Sequence, residues 1–169
     1  MVRGQKNVDW APYLTPEDLG ILAEKIDPKG WYPMETFERL GIGILREVAL
    51  GQLDGVRMWG RFQVDPVLKL FPTLLAAGEP RETMMRFGVL ADSFFDYGAL
   101  RVVSVVDDHA IVSIAYGMSP IAEEAACTQT LGFFERLVEL AGASGVAGRF
   151  TARSWTGEAR TLVELNWFA

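Results

Sequence analysis

The one histidine of this 169-residue chain, His109, follows Asp107 and Asp108, and two carboxylates beside an imidazole are a donor set that can hold a divalent metal. Adjacent side chains on a short turn do not converge on one ion without ligands from elsewhere, so these three read as a polar, solvent-exposed turn. The one cysteine, Cys127, lies among Ala122, Ala125 and Ala126 and reads as a small buried hydrophobe. With the histidine in a distant turn, a cysteine–histidine nucleophile has no support. A lone cysteine cannot close an internal disulfide or build a cysteine-rich zinc site, and a lone histidine excludes sites that need two imidazoles. Glu123 and Glu124 belong to the first turn of a predicted helix, where the macrodipole favours acids for structural reasons. Gly41 and Gly43 form no phosphate loop, because no strand precedes them and Arg46 stands where a third glycine would fall. No nucleophile elbow, P-loop or zinc-protease helix is present. No catalytic residue, no metal and no cofactor is therefore assigned.

Charge narrows the partners. With 22 acidic and 16 basic residues the net charge is −6, which opposes a phosphate-backbone footprint, so nucleic acid is excluded as a partner. Half the residues are hydrophobic, enough for one full core. No apolar run reaches the roughly 18 residues of a spanning helix, and the stretch from Met1 to Trp10 lacks a signal-like apolar region. The expectation is a cytoplasmic protein with no membrane association.

The elements read as helices first and two hairpins after. Residues 1–14 form an arm, flexible or pinned to the surface by Trp10 and Tyr13, and residues 15–169 form a single α+β domain. Thr15, Pro16 and Asp18 resemble a capping box for a helix over 16–26, stopped by Asp27-Pro28. Pro33 opens a second helix carrying Phe37, Leu40, Ile44, Leu45 and Val48 at helical spacing; Gly41 and Gly43 inside it point to close approach by another element. Residues 52–78 read as helix in two pieces, broken near Asp65-Pro66 and at Phe71-Pro72. A helix over 80–96 carries Met84, Met85, Phe87, Leu90, Phe94 and Phe95, a composition suited to plain core or to an adaptable cavity wall.

After Gly98 the period becomes that of strands. Leu100–Val106 and Ala110–Tyr116 flank the Asp107-Asp108-His109 turn. Ser119 and Pro120 start a long helix over 120–141 that closes at Gly142. Strands over 146–155 and 158–168 surround Thr156-Gly157. A two-residue loop there sets Arg149 opposite Glu164 and Arg153 opposite Arg160. Arg149, Arg153 and Arg160 then share one sheet face, which reads as a solvated face or as a surface for an anion or a protein partner. The fold class is α+β: N-terminal helices followed by a β-β-α-β-β unit whose four-stranded antiparallel sheet packs against helices.

Phe94-Phe95-Asp96-Tyr97-Gly98, the hairpin end Ile114-Ala115-Tyr116, the helix end running from Phe133-Phe134 to Ala141-Gly142, and the last strand Val163-Glu164-Leu165-Asn166-Trp167 resemble, over residues 30–168, the superfamily of haem-NO-binding and 4-vinyl-reductase domains, closest to uncharacterised myxobacterial-type relatives. The resemblance implies helices and an antiparallel sheet around an internal pocket, in modules that are sensors or regulators more often than enzymes. The haem branch presents a histidine from the helix before the sheet, and the 80–96 helix has none. Its Tyr-x-Ser-x-Arg pattern reads here Tyr116-Gly117-Met118-Ser119-Pro120, keeping only the tyrosine. The cysteines of the vinyl-reductase branch are replaced by Ser154, Trp155, Thr156 and Gly157.

Haem and zinc are both disfavoured on these grounds. The preferred reading is a non-enzymatic sensory or regulatory module that binds a small apolar molecule or a protein partner, a homodimer through an exposed aromatic patch being one form of the latter. The pocket is expected to be lined, or filled, by Trp59, Met84, Met85, Phe87, Phe94 and Tyr116. The alternatives are a small enzyme using Tyr116 as proton donor and a haem-based gas sensor.

Overall fold

The computed structural model describes residue 5 and residues 7–168. The elements are α1 (Pro16–Ala23), α2 (Met34–Gly43) running into a π-helical turn (Ile44–Val48), α3 (Leu53–Phe62), α4 (Val64–Leu70), α5 (Pro80–Leu90), β1 (Leu100–Val106), β2 (His109–Ile114), α6 (Pro120–Leu140), β3 (Ser144–Ala152) and β4 (Thr161–Phe168). The order is the expected one, and the sheet is antiparallel throughout with strand order β1-β2-β4-β3. Among the described residues no helix is long and apolar enough to cross a membrane.

The start of α1 is the predicted box with aspartate in place of glutamate. The Asp18 amide donates to Thr15 Oγ1 at 3.2 Å and the Thr15 amide donates to Asp18 Oδ2 at 2.8 Å. The helix stops at Ala23, three residues before the expected end, where Glu24 turns extended. Of the predicted arm, the part at 1–4 and 6 lies outside the described residues. Further on, Trp10 packs on Gly43, where an added β-carbon would meet the indole at 3.0 Å, and the Tyr13 hydroxyl donates to Glu47. Close approach thus explains Gly43 but not Gly41, which faces open space.

Two boundaries move for physical reasons. The break between α3 and α4 falls at Gln63, not at Pro66. Pro66 occupies the first turn of α4, where its missing N–H has no intrahelical acceptor to lose. Helix α5 ends at Leu90 rather than 96, and a short 3-10 turn over Ala91–Ser93 leads to the Phe94–Gly98 segment.

The sheet buries one face. Along β4, Thr161, Val163, Leu165 and Trp167 are buried and alternate with residues turned outward. Arg149 pairs with Glu164 as predicted. The predicted Arg153–Arg160 pair does not form, because a bulge between Phe150 and Ala152 and a 3-10 turn over Ser154–Thr156 lengthen the hairpin and take Arg153 out of the ladder.

Helix α6 is the centre of the molecule. Its moiety of apolar and small residues is buried on all sides, from Ala122 through Cys127 and Phe134 to Val138, as expected of a helix enclosed by other elements. The sheet covers one side and α3 the other. At the α3–α6 crossing, a β-carbon added to Gly60 would fall on the carbonyl of Gln129, and one added to Gly132 on the carbonyl of Arg57. Each helix therefore presents bare backbone to the other. Arg57 forms a two-point ion pair with the buried Glu135, Arg61 Nη2 reaches Glu139 at 2.6 Å, and Gln129 donates to Gln63 at 2.8 Å.

Substitution Gly132→Ala is expected to lower stability by about 3 kcal/mol, because backbone rather than a flexible side chain must yield. Gly41→Ala should raise it by up to about 1 kcal/mol, since the helix gains alanine and nothing is met. Urea unfolding midpoints of the two variants check both signs.

Candidate functional site

Two adjoining cavities lie beside the Phe94–Tyr97 segment, and the inner of them reaches α6 and the start of β1. The outer one has a volume of about 620 Å³ and is walled by the α1 side (Ile21, Leu22, Ile26), the loop carrying Trp31 and Tyr32, the α2 face of Thr36, Phe37 and Leu40, and the Phe94–Tyr97 segment. The inner one, about 110 Å³, is lined by Phe87, Leu100, Tyr116, Thr130, Phe133 and Phe134. Phe37, Gln63, Phe94 and Phe95 line both and form the partition. The outer volume lies within the range of small-molecule sites, roughly 300–1,000 Å³, and the inner one below it. Rings dominate the partition: Phe87 stacks on Phe94 at 5.4 Å, Phe95 lies 5.3 Å from Tyr116, and Phe37 meets Tyr116 edge-on at 6.4 Å.

The outer wall is held by Asp18. This buried carboxylate accepts from Thr36 Oγ1 at 2.6 Å and from Arg39 Nε and Nη2 at 2.6 and 2.9 Å, which fastens α1 to α2. The Arg39 hydrogen bonds hold its carboxyl well below the usual carboxylate range, with help from Thr36 and Thr15.

The inner wall is held by Glu123. Its carboxylate is buried and accepts from the Tyr116 amide at 3.1 Å, the Met118 amide at 2.9 Å and Ser154 Oγ at 3.0 Å. The sequence reading gave this residue only a macrodipole role. In the structure it ties the strand-to-helix loop and the last hairpin to α6. The predicted cap Ser119 makes no side-chain bond to the helix; its hydroxyl and its amide both donate to Glu38 of α2.

Tyr116, the candidate proton donor, shares a hydrogen bond with Thr130 at 2.6 Å, and burial raises its pKa above the ordinary phenol value. A phenol so placed keeps its proton. Cys127 is fully buried, and desolvation pushes its thiol up to about 12, as suits an inert core residue. His109 begins β2 and lies 3.6 Å from Glu164. Among the described residues no group of three or more histidines, cysteines or acids is placed to hold a metal.

Of the expected pocket residues, the structure brings Phe87, Phe94 and Tyr116 together at the inner cavity. Met84 is fully buried in the core instead, Met85 is 47% exposed on the outer side of α5, and the half-buried Trp59 lines neither cavity. Successive helical residues point about 100° apart, so one face of α5 cannot deliver Met84, Met85 and Phe87 to one space. Phe37, Phe95, Phe133 and Phe134 were missed as lining residues. The doublets Phe94-Phe95 and Phe133-Phe134 carried the signal, because adjacent buried rings require apolar surroundings on more than one side. The three arginines are parted: Arg149 holds Glu164, Arg160 donates to Ser113 Oγ and the Gly98 carbonyl, and Arg153 borders a groove with Phe150 and Trp155.

No protein-family model matches the chain, and no curated protein does. Solved structures do resemble it. An H-NOX protein from S. oneidensis in the Fe(II)NO state superposes with a TM-score of 0.62 at 7% identity, covering 86% of this chain and 82% of its own. A mutant T. tengcongensis H-NOX gives 0.61 at 16% identity, covering 89% and 85%. An oxygen-binding H-NOX domain related to soluble guanylate cyclases gives 0.59 at 15%, covering 89% and 83%. The chain therefore has the H-NOX fold, the architecture that the sequence resemblance implied.

That fold raises the question whether these cavities fit haem. Proteins bind haem iron through histidine, cysteine, methionine or tyrosine. The lining residues include no histidine and no cysteine; Met34 is their sulfur donor. Among the lining tyrosines, Tyr97 donates to the Tyr116 carbonyl at 3.0 Å, Tyr116 is bonded to Thr130, and Tyr32 is engaged with the Asp27 backbone. Two propionates would need cationic partners, and the described lining contains neither lysine nor arginine. The residues present do not fit haem.

The Asp18 contact makes the outer wall sensitive to acid. A depressed carboxyl pKa contributes stability that is fully present above the unfolded value near 4 and is lost progressively as pH falls from there through the lower folded value. The stability difference between wild type and Asp18→Asn should be constant above about pH 5 and shrink steadily below pH 4. Chemical denaturation across that range checks the sign.

Proposed function

We propose, on the premise of the H-NOX fold, that this domain is a non-enzymatic sensory module that takes a small, mainly apolar ligand in the outer cavity, without haem. The observation that carries this reading is the lining: a cavity of about 620 Å³ walled by aromatic and aliphatic side chains, with no basic residue among the described ones. Burial of an apolar ligand there supplies affinity through the hydrophobic effect, and the aromatic partition supplies shape. Exposed Ile26, Trp31 and Tyr32 at the mouth offer a protein partner, or a second copy, a surface on which occupancy is read. A small enzyme finds less support, because Tyr116, the candidate proton donor, lines the inner cavity and its acidity is suppressed by burial.

A haem-based gas sensor is the second reading. The fold favours it, since among the neighbours are proteins described by their Fe(II) and Fe(II)NO states and by heme distortion. The donor set speaks against it.

The test uses N-phenyl-1-naphthylamine, an uncharged fluorophore. Saturable binding with a blue-shifted emission is expected. Leu40→Trp, which fills the outer cavity, should weaken binding at least ten-fold, while Met85→Trp on the exposed side of α5 should leave it unchanged. Absence of binding, or binding indifferent to Leu40→Trp, sinks the reading.

A further inference from the structure

The charge pattern of the outer cavity is more specific than apolarity. Among the described lining residues, Asp96 is the one that carries a charge, and the inner cavity is lined by none. Asp96 is exposed and makes no hydrogen bond or ion pair with any described residue. Three partly exposed rings line the same cavity: Trp31 is 62% exposed, Tyr32 42% and Tyr97 41%. Aromatic faces are the negative part of the ring quadrupole and attract cations, most strongly when the site excludes water.

We propose that the ligand is an organic cation, an alkyl- or arylammonium whose apolar part fills the outer cavity and whose positive group lies by Asp96 among Trp31, Tyr32 and Tyr97. This rests on the reading of the cavity as a ligand site and adds the sign of the ligand's charge. Tyr97 reports the same field: burial first, then the carboxylates of Glu123, Asp96 and Glu35, raise its hydroxyl above the ordinary value. An anionic ligand would enter that field with no basic side chain to meet it. A neutral ligand would leave Asp96 and the ring faces without a role. The net charge of −6 adds long-range attraction for a cation.

The experiment compares benzyltrimethylammonium with neopentylbenzene, which has the same shape with carbon in place of nitrogen. Each is titrated separately into the full chain and followed by tryptophan fluorescence. The cation is expected to bind at least ten-fold more tightly. Asp96→Asn should remove most of that preference, and Asp96→Glu should retain it. Equal affinities, or a preference that Asp96→Asn leaves intact, overturn the charge assignment while the apolar-ligand reading stands. Failure of both compounds to bind overturns the two together.

Discussion

Helices α3 and α6 cross with backbone against backbone at Gly60 and Gly132, and the rest of the architecture is spaced from that contact. A methyl group at either glycine would coincide with a carbonyl oxygen of the other helix, so the separation admits no side chain. Once it is set, Arg57 reaches Glu135 and Gln129 reaches Gln63. Glu135 in turn accepts from the Gly148 amide, which carries the constraint into β3. The helical layer is thereby pinned to the α6–sheet unit along one line. The two cavities adjoin at Phe37, Gln63, Phe94 and Phe95. Their walls are held by two buried carboxylates, Asp18 on the helical side and Glu123 on the sheet side.

The H-NOX fold alone does not decide what enters these cavities. Scaffold and site are separable: a fold supplies a place between two layers, and the side chains facing that place decide what enters. Here they are mainly aromatic and aliphatic side chains, with a single exposed carboxylate, Asp96, among them. Phe87, Phe94, Phe133 and Phe134 line the inner cavity of about 110 Å³. Iron chemistry requires a donor and charge neutralisation, whereas recognition by shape and quadrupole requires neither.

What the sequence disclosed follows the range of each interaction. Local signals were legible: the Thr15–Asp18 box, the long helix from Pro120, the hairpin through Asp107-Asp108 and the Arg149–Glu164 pairing all depend on residues near in sequence or on a strict two-residue period. The lining was only half legible, since the outer and inner walls come from segments near residues 21–40, 63, 87–97 and 116–134, and periodicity says that a helix buries a face without saying against what. Met84, Met85 and Trp59, expected to line or fill the pocket, line neither cavity, and Met84 belongs to the core that the same helix was also read to form. The glycine crossing was invisible, because its partners are separated by some 70 residues and a glycine in a helix otherwise reads only as a local cost. Glu123 was placed correctly at the start of α6, but its carboxylate serves the loop before the helix and a hairpin thirty residues later.

The central claim is that this fold holds an apolar, ring-lined cavity with no provision for haem. Titration of the purified chain with haemin, followed by absorbance and by gel filtration of the mixture, tests it most directly. The spectrum is expected to remain that of free haemin, and the pigment to separate from the protein. A stoichiometric complex with a shifted, sharpened Soret band that survives gel filtration would contradict it.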